Sequence, residues 1–450
     1  MRRAPGLASP RAGELSGSTC ELIAERFGTP VYVLDLERLH ANYVRFAETV
    51  ARCAPSTRVL YSVKTNYLPI VCRALHAWGA GADVVSGYEL RAALEAGFDG
   101  EEIVFNGPVK SEDDLAVAVR HGVFVNVDGL EEVASLTRLA PKEKPLEVGL
   151  RVQPPEDVYS RERPLPRRRL PSKFGWPVAG GEADLAADLI RSKRELALVG
   201  VHCHLGSQIT SADAFAAALE SVLAWAARLR GRAPLHVLNL GGGFGVPGIH
   251  RLRRGGGGLS WIDVPEDADE PADAFDLDVF AESVADALTR HGLDDLTVCF
   301  EPGRYLVSEA VVLLTRVVGV KRLQDASWAI LDGGLNLLPT AGVAERHTIE
   351  VVDGADRPTA PYLVGGPLCY EGDVFAVAVD LPADLAASEF VLVHDAGAYG
   401  LSRSNSFNRL RAPVVACKGS HFELCWRGER FEDVFALAEP TTFDFAKPAP

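Results

Sequence analysis

From Val31 to about Arg304 the chain alternates short, continuously apolar runs with amphipathic stretches, and this alternation limits the fold more than any other feature. Expected strands are Val31–Asp35, Val59–Lys64, Ala82–Ser86, Ile103–Asn106, Phe124–Val127, Glu147–Gln153, Val199–Leu205, His236–Leu240 and Thr297–Glu301. Between them, helical spacing covers Leu36–Cys53, Ser86–Ala96, Ser111–His121, Leu130–Leu139, Glu182–Arg191, Ser211–Arg230 and Val279–His291. Strands apolar on both faces and joined by helices imply a parallel sheet covered on both sides. Eight or so such units over roughly 250 residues fit a closed (β/α)8 barrel better than an open sheet. After Arg304 the pattern changes. Short apolar runs separated by Gly, Pro and Asp (Ala310–Arg322, Ala329–Asp332, Pro361–Val364, Asp373–Val379, Phe390–His394, Pro413–Lys418) predict an all-β unit. The expected layout is a lead-in over 1–30 that joins the β unit or stays apart, a barrel over 31–305 and a β domain over 306–450.

Composition narrows the class of function. Of the 450 residues, 47% are hydrophobic and 24% charged, as in ordinary globular proteins. The net charge of −15 argues against nucleic acid or an anionic membrane as partner. No apolar run approaches the roughly 20 residues a spanning helix needs, and the first residues lack the apolar core of a secretory signal. The eight cysteines show no C-x-x-C spacing, so no metal centre is expected and a cytoplasmic protein with reduced thiols is. Two polar insertions interrupt the barrel pattern. Pro154–Pro177 carries Arg161, Arg163, Arg167, Arg168 and Arg169, a cluster suited to an anion, and Gly248–Asp276 has the composition of a surface loop.

In a barrel of this kind chemistry gathers at the carboxyl ends of the strands. The chemically distinctive residues fall there: Lys64, Asp83, Ser86, Asn106, His204, Gly241–Gly243 and Glu301–Arg304. Lys64 offers an imine-forming amine. Gly242 and Gly243 follow a strand and can close backbone N–H groups on a phosphate, with Ser207 adding a hydroxyl. Glu301 offers a carboxylate to a pyridine nitrogen, and Arg304 a guanidinium to a phosphate or a substrate carboxylate. His204 can lie flat on a ring, with His202 competing from the same strand face. Cys369 can return a proton to a carbanion, and Tyr399 can reach phosphate or substrate. Together these are the parts required to use pyridoxal 5'-phosphate (PLP).

The ordered set YSVKTN, HLGSQ, GGGFG, EPGR, GPLC-x-x-G-D and DAGAY resembles the fold-type III PLP-dependent decarboxylases, which include diaminopimelate, ornithine and arginine decarboxylases. The resemblance runs from Val31 to about Val415. It implies an alanine-racemase-like barrel with a C-terminal all-β domain, and a homodimer whose two sites are shared. By motif position it assigns Lys64 to the cofactor's carbonyl, His204 to ring stacking, and Ser207, Gly243, Gly303, Arg304 and Tyr399 to cofactor binding. Glu301 falls at the pyridine nitrogen, Asp83 beside the lysine, and Cys369, as proton donor, comes from the opposite subunit. A racemase on the same barrel would carry an arginine where this chain has Glu301. A catalytically inactive regulatory homologue would not need Lys64, Glu301 and Cys369 together.

Two departures bear on substrate. Where diaminopimelate decarboxylases carry N-D-L-I-R-P-x-x-Y, this chain reads Asn336-Leu337-Leu338-Pro339-Thr340-Ala341, and where they carry C-E-S-x-D it reads Cys369-Tyr370-Glu371-Gly372-Asp373. Tyr370, Glu371 and Asp373, with Arg304 and Tyr399, are the expected substrate contacts. These replacements predict an α-decarboxylase for an L-amino acid, or a conjugated or carrier-tethered one, in a siderophore- or antibiotic-type pathway, with free meso-diaminopimelate a poor substrate. Diaminopimelate decarboxylation in lysine biosynthesis is the alternative.

Overall fold

A computed structural model describes residues 15–155, 172–251, 275–324, 326–341 and 345–440. The arginine cluster Arg161–Arg169 and most of Gly248–Asp276 lie outside the described residues. Nine strands bear on the site: β1 (Val31–Asp35), β2 (Ser56–Ser62), β3 (Gly81–Val84), β4 (Ile103–Phe105), β5 (Phe124–Val127), β6 (Leu146–Gln153), β7 (Leu196–Cys203), β8 (Val237–Asn239) and β9 (Thr297–Phe300). Strands β2 to β9 are all parallel and close into a barrel, since β5 pairs with β6 through Val125 and Val148 while β9 bridges β2 and β8. Their residues are mostly buried on both faces, as the continuous apolar runs require.

Two strands depart from their expected places. β1 has the same local pattern as the barrel strands, yet it pairs antiparallel with Val311–Arg322 and parallel with Val414–Lys418, inside the C-terminal sheet. Strand pairing is a nonlocal choice that a five-residue apolar run does not encode. Asp35 then ends β1 and caps the next helix, its carboxylate accepting from Glu37 N–H at 2.9 Å and Arg38 N–H at 3.0 Å. That helix, Leu36–Val50, carries the chain back to the barrel wall. The second departure is at β2, which stops at Ser62, so Lys64 sits in a single 3-10 turn (Val63–Thr65) rather than on the strand.

The barrel helices lie close to their expected bounds because the caps are written locally. Ser86 accepts from Glu89 N–H and Ser111 from Asp114 N–H at helix starts, so Ser86 serves as a helix cap. The helix Pro69–Ala77 was not expected. It has proline at its start and buries Val71, Cys72 and Leu75. Phe46, Phe215, Phe275 and Phe280, from the outer helices and the residues next to them, surround Phe244 of the glycine loop, with the Phe215 and Phe244 rings stacked 5.3 Å apart. This aromatic cluster pins the glycine loop from below.

C-terminal to the barrel, Val311–Arg322, Ser327–Leu331, Thr359–Gly365, Val374–Pro382, Phe390–Val393, Val414–Lys418 and His421–Trp426 form a mostly antiparallel sheet. A loop from this unit reaches the barrel mouth. Asn66 donates its side-chain amide to Gly397 O at 3.1 Å, and Thr65 O accepts from Tyr399 N–H and Ser402 Oγ–H, both at 3.0 Å. The turn bearing Lys64 is thus clasped by the C-terminal unit. No helix among the described residues is long and apolar enough to cross a membrane.

One buried ion pair braces the loops after β4 and β5. Lys110 Nζ, fully enclosed, meets both oxygens of Glu132 at 2.9 and 3.0 Å and Gly107 O at 3.1 Å. Glu132 also accepts from Lys110 N–H and Asp128 N–H. Removing one partner of such a pair strands the other charge. Lys110→Met is therefore expected to lower stability by about 3–5 kcal/mol, read from denaturant unfolding. A loss under about 1 kcal/mol, the range of an exposed pair, would show that the pair is not a brace.

Candidate active site

Asp83, at the end of β3, is completely buried and organises the barrel mouth. One of its oxygens takes Lys64 Nζ and Ser62 Oγ–H, each at 2.6 Å, and the other takes Asn106 Nδ2 at 2.7 Å. The same Asn106 amide lies 2.7 Å from Glu301 Oε1, which also accepts from Asn239 Nδ2 at 2.7 Å and has His202 Nε2 at 3.4 Å. Asn126 completes the chain by donating to Asn106 Oδ1 at 2.8 Å. It fits because Gly149, facing it from β6, has no side chain: a Cβ there would fall 1.9 Å from Asn126 Oδ1.

The charges follow from this network. Burial works to lower the Lys64 amine, but the adjacent Asp83 carboxylate, together with Tyr399 and Glu301, outweighs it and holds the amine above its usual range. Burial works to raise the Glu301 carboxyl, but His202 and Lys64 outweigh it and hold the group well below the usual carboxylate range. His204 is pushed down to about 3, by burial and then by Lys64. Its Nδ1 accepts from Gly242 N–H at 3.2 Å, which fixes a neutral ring with its other nitrogen protonated.

Lys64, Asp83, Asn106, His202, His204, Ser207 and Glu301 line one cavity of about 450 Å³. Gly242 meets it through the hydrogen bond to His204. Gly243, at φ +106°, presses against Gly206, where a Cβ would fall 2.4 Å from the carbonyl oxygen. A cavity of this size, with an amine on one wall, an ionised carboxylate on another, a neutral ring and a glycine loop without side chains, fits PLP.

The remaining expected residues lie elsewhere. Gly303 is wedged on Thr65, and Arg304 is buried beneath Tyr399, its guanidinium carbon 5.2 Å from that ring. Tyr399 adopts φ +62°, a strained conformation for a non-glycine residue. Cys369, Tyr370 and Glu371 sit on an exposed turn and do not line the cavity. Asp373, expected among the substrate contacts, instead holds this turn together. Its oxygens accept from Leu335 N–H at 2.7 Å and Leu368 N–H at 2.8 Å.

Sequence reasoning missed Ser62, Asn126, Asn239 and Arg151. Arg151 lines the cavity from β6, bound to Asp128 at 3.0 Å and stacked on Phe174 at 4.5 Å. A lone arginine inside an otherwise apolar strand was the available signal. The two asparagines and the serine left none, because such residues at strand ends read as loop starters.

Comparison with known proteins identifies the fold and chemistry. The model of the pyridoxal-dependent decarboxylase, pyridoxal binding domain, matches residues 37–308. Diaminopimelate decarboxylase of Pseudomonas aeruginosa is 35% identical over 93% of this chain and 95% of its own length. That of Methanothermobacter thermautotrophicus is 31% identical over 93% and 94%. Among solved structures, diaminopimelate decarboxylase from M. jannaschii in co-complex with L-lysine superposes with a TM-score of 0.81 at 26% identity, covering 94% of each chain. SrLDC in complex with PLP and cadaverine gives 0.71 at 26% identity, covering 94% of this chain and 96% of its own. These relatives match nearly end to end. They overturn the specialised siderophore- or antibiotic-type substrate expected from Thr340 and Tyr370, and with it the expectation that free meso-diaminopimelate is a poor one. An amine, two buried carboxylates and a neutral ring around one cavity, on a barrel matched over this length, place the chain in the pyridoxal-dependent decarboxylase family, whose members are PLP-dependent amino-acid carboxy-lyases.

Proposed function

We propose that this chain is a diaminopimelate decarboxylase, removing one carboxylate as CO2 and leaving lysine. Similarity over more than nine-tenths of the chain to enzymes of that activity carries the reading. The intact set of Lys64, Asp83, His204 and Glu301 around one cavity supports it.

When bound, PLP supplies an electron sink for the pair left behind as the carboxylate departs. The chain's own residues prepare and protect that chemistry. Lys64 is the attachment point, and its amine must shed a proton to act; Asp83, 2.6 Å away, is the acceptor within reach. Glu301, kept ionised, would offer its charge to the pyridine nitrogen. His204, kept neutral, would stack on the ring without placing a second cation beside Lys64. Gly242, Gly243 and Ser207 would hold the phosphate. Cys369 would return the proton at the carbon that lost CO2. Because it stands on an exposed turn away from the cavity of its own chain, the partner subunit of a homodimer is its route to a site.

Purified protein incubated with meso-diaminopimelate should release CO2 and L-lysine with kcat/KM of about 10⁴ M⁻¹s⁻¹ or more, the ordinary enzymatic range. Borohydride should fix the cofactor to Lys64, and Lys64→Ala should lose both the label and turnover; label on another lysine would refute the assignment.

Mixing Lys64→Ala with Cys369→Ala subunits should restore part of the activity, since one site of the mixed dimer would carry both native residues. A mixed dimer that stays inactive would mean that each site is built within one chain.

His204 also predicts a pH dependence. The unfolded chain takes up a proton at this histidine below about pH 6.5, while the folded one resists until about pH 3. The stabilising contribution is therefore complete above about pH 6.5 and lost as pH falls below it, by at most about 1.4 kcal/mol per pH unit and less where solvent screens the ring. His204→Gln should flatten the unfolding midpoint between pH 6.5 and 4.5 relative to wild type. An unchanged slope would show that the ring is not held neutral.

A further inference from the structure

Asp83 Oδ2 holds two donors on one oxygen. Lys64 Nζ and Ser62 Oγ each stand 2.6 Å from it, and Lys64 Nζ is 3.1 Å from Ser62 Oγ, so the three atoms close a triangle. A serine hydroxyl has one hydrogen to give. Its other acceptor within reach, Glu301 O, is farther off at 3.4 Å, so the hydrogen points at the carboxylate and the amine donates to the hydroxyl's lone pair. Ser62 is also fixed in place. It is 3% exposed, ends β2 opposite Asp83 in the β2–β3 register, and donates its N–H to Pro302 O at 3.2 Å. Gly303 packs so closely that a Cβ there would fall 3.0 Å from the Ser62 Cβ.

Attachment of the cofactor at Lys64 takes one of the two donors away. The ammonium first loses a proton, which Asp83 passes on. The nitrogen lone pair then bonds to the carbonyl carbon, and the carbonyl oxygen leaves as water with the two remaining amine hydrogens. At that point the donor left on Asp83 Oδ2 is Ser62. Asp83 is completely buried, and a buried carboxylate oxygen stripped of its last donor is far costlier than one that loses the second of two.

We infer that Ser62 is a positioning residue that keeps the Asp83 carboxylate filled while Lys64 is bound to the cofactor, so that the amine can leave its partner. This rests on Lys64 as the attachment point. Without the hydroxyl, Asp83 escapes the cost by taking up a proton, which low pH favours and high pH prevents. The other ionisable groups around the amine and this carboxylate are Glu301, Tyr399, Glu89, His202 and His204. These, like the cofactor's own groups, are common to wild type and variant and cancel in a ratio of the two.

The test is equilibrium titration of the cofactor-free protein with PLP, followed in the visible band from about pH 6 to 9. Ser62→Ala should bind PLP about 10- to 100-fold more weakly than wild type at the upper end, the range of one lost charge-assisted hydrogen bond, and that ratio should shrink as pH falls. A cooperative unfolding transition certifies the fold of the variant. Should alanine not fold, Ser62→Cys, of similar shape with a weaker donor, carries the same test with a smaller ratio and the same trend. A ratio near one, or one that is constant across the pH range as a merely structural defect would give, would overturn the role of Ser62 while leaving Lys64 as the attachment point. Borohydride label on another lysine would overturn both.

Discussion

The buried Asp83 carboxylate is the constraint on which the barrel mouth depends. Moving a carboxylate out of water costs several kcal/mol even after relaxation, and here a second one, Glu301, is buried with it. Neither survives as an anion unless its oxygens are filled. Asp83 is filled on both oxygens by the amine, a serine and an asparagine, and Glu301 is held through Oε1 by two asparagines with a histidine alongside. Asn106 serves both, so the two carboxylates are held at a spacing set by one amide. These donors stand at the ends of four different strands or in the turns after them, and the spacing exists only once the barrel has closed. Closure through β5 and β6 is therefore a condition of the chemistry as well as of stability.

The same dependence explains what the sequence disclosed. Strand–helix alternation, helix caps and the position of reactive residues at strand ends are local, and most of those expectations agree with the structure to within a few residues. Lys64, Asp83, His204 and Glu301 were legible because each is a chemically odd residue closing an apolar run. Asn126 and Asn239 were not, since an asparagine at a strand end signals a turn unless its partner across the barrel is known. β1 was misplaced for a related reason. Its five residues look like any barrel strand, and its true neighbours lie nearly 300 and 400 residues away in the chain.

The substrate is where linear reasoning failed, and the failure has a physical form. Replacing an arginine by Thr340 and a glutamate by Tyr370 removes two charges from two sequence positions. It follows that recognition is lost only if recognition is tied to those positions. A binding site responds to charge in space, and the space next to Tyr399 holds a guanidinium and a carboxylate that arrive from elsewhere in the chain. Arg304 was visible in EPGR. Glu345 was not, because it follows a broken, pattern-free stretch where one acidic residue reads as solvated surface. That it is buried against Arg304 is a fact about tertiary packing, which no reading of single positions supplies.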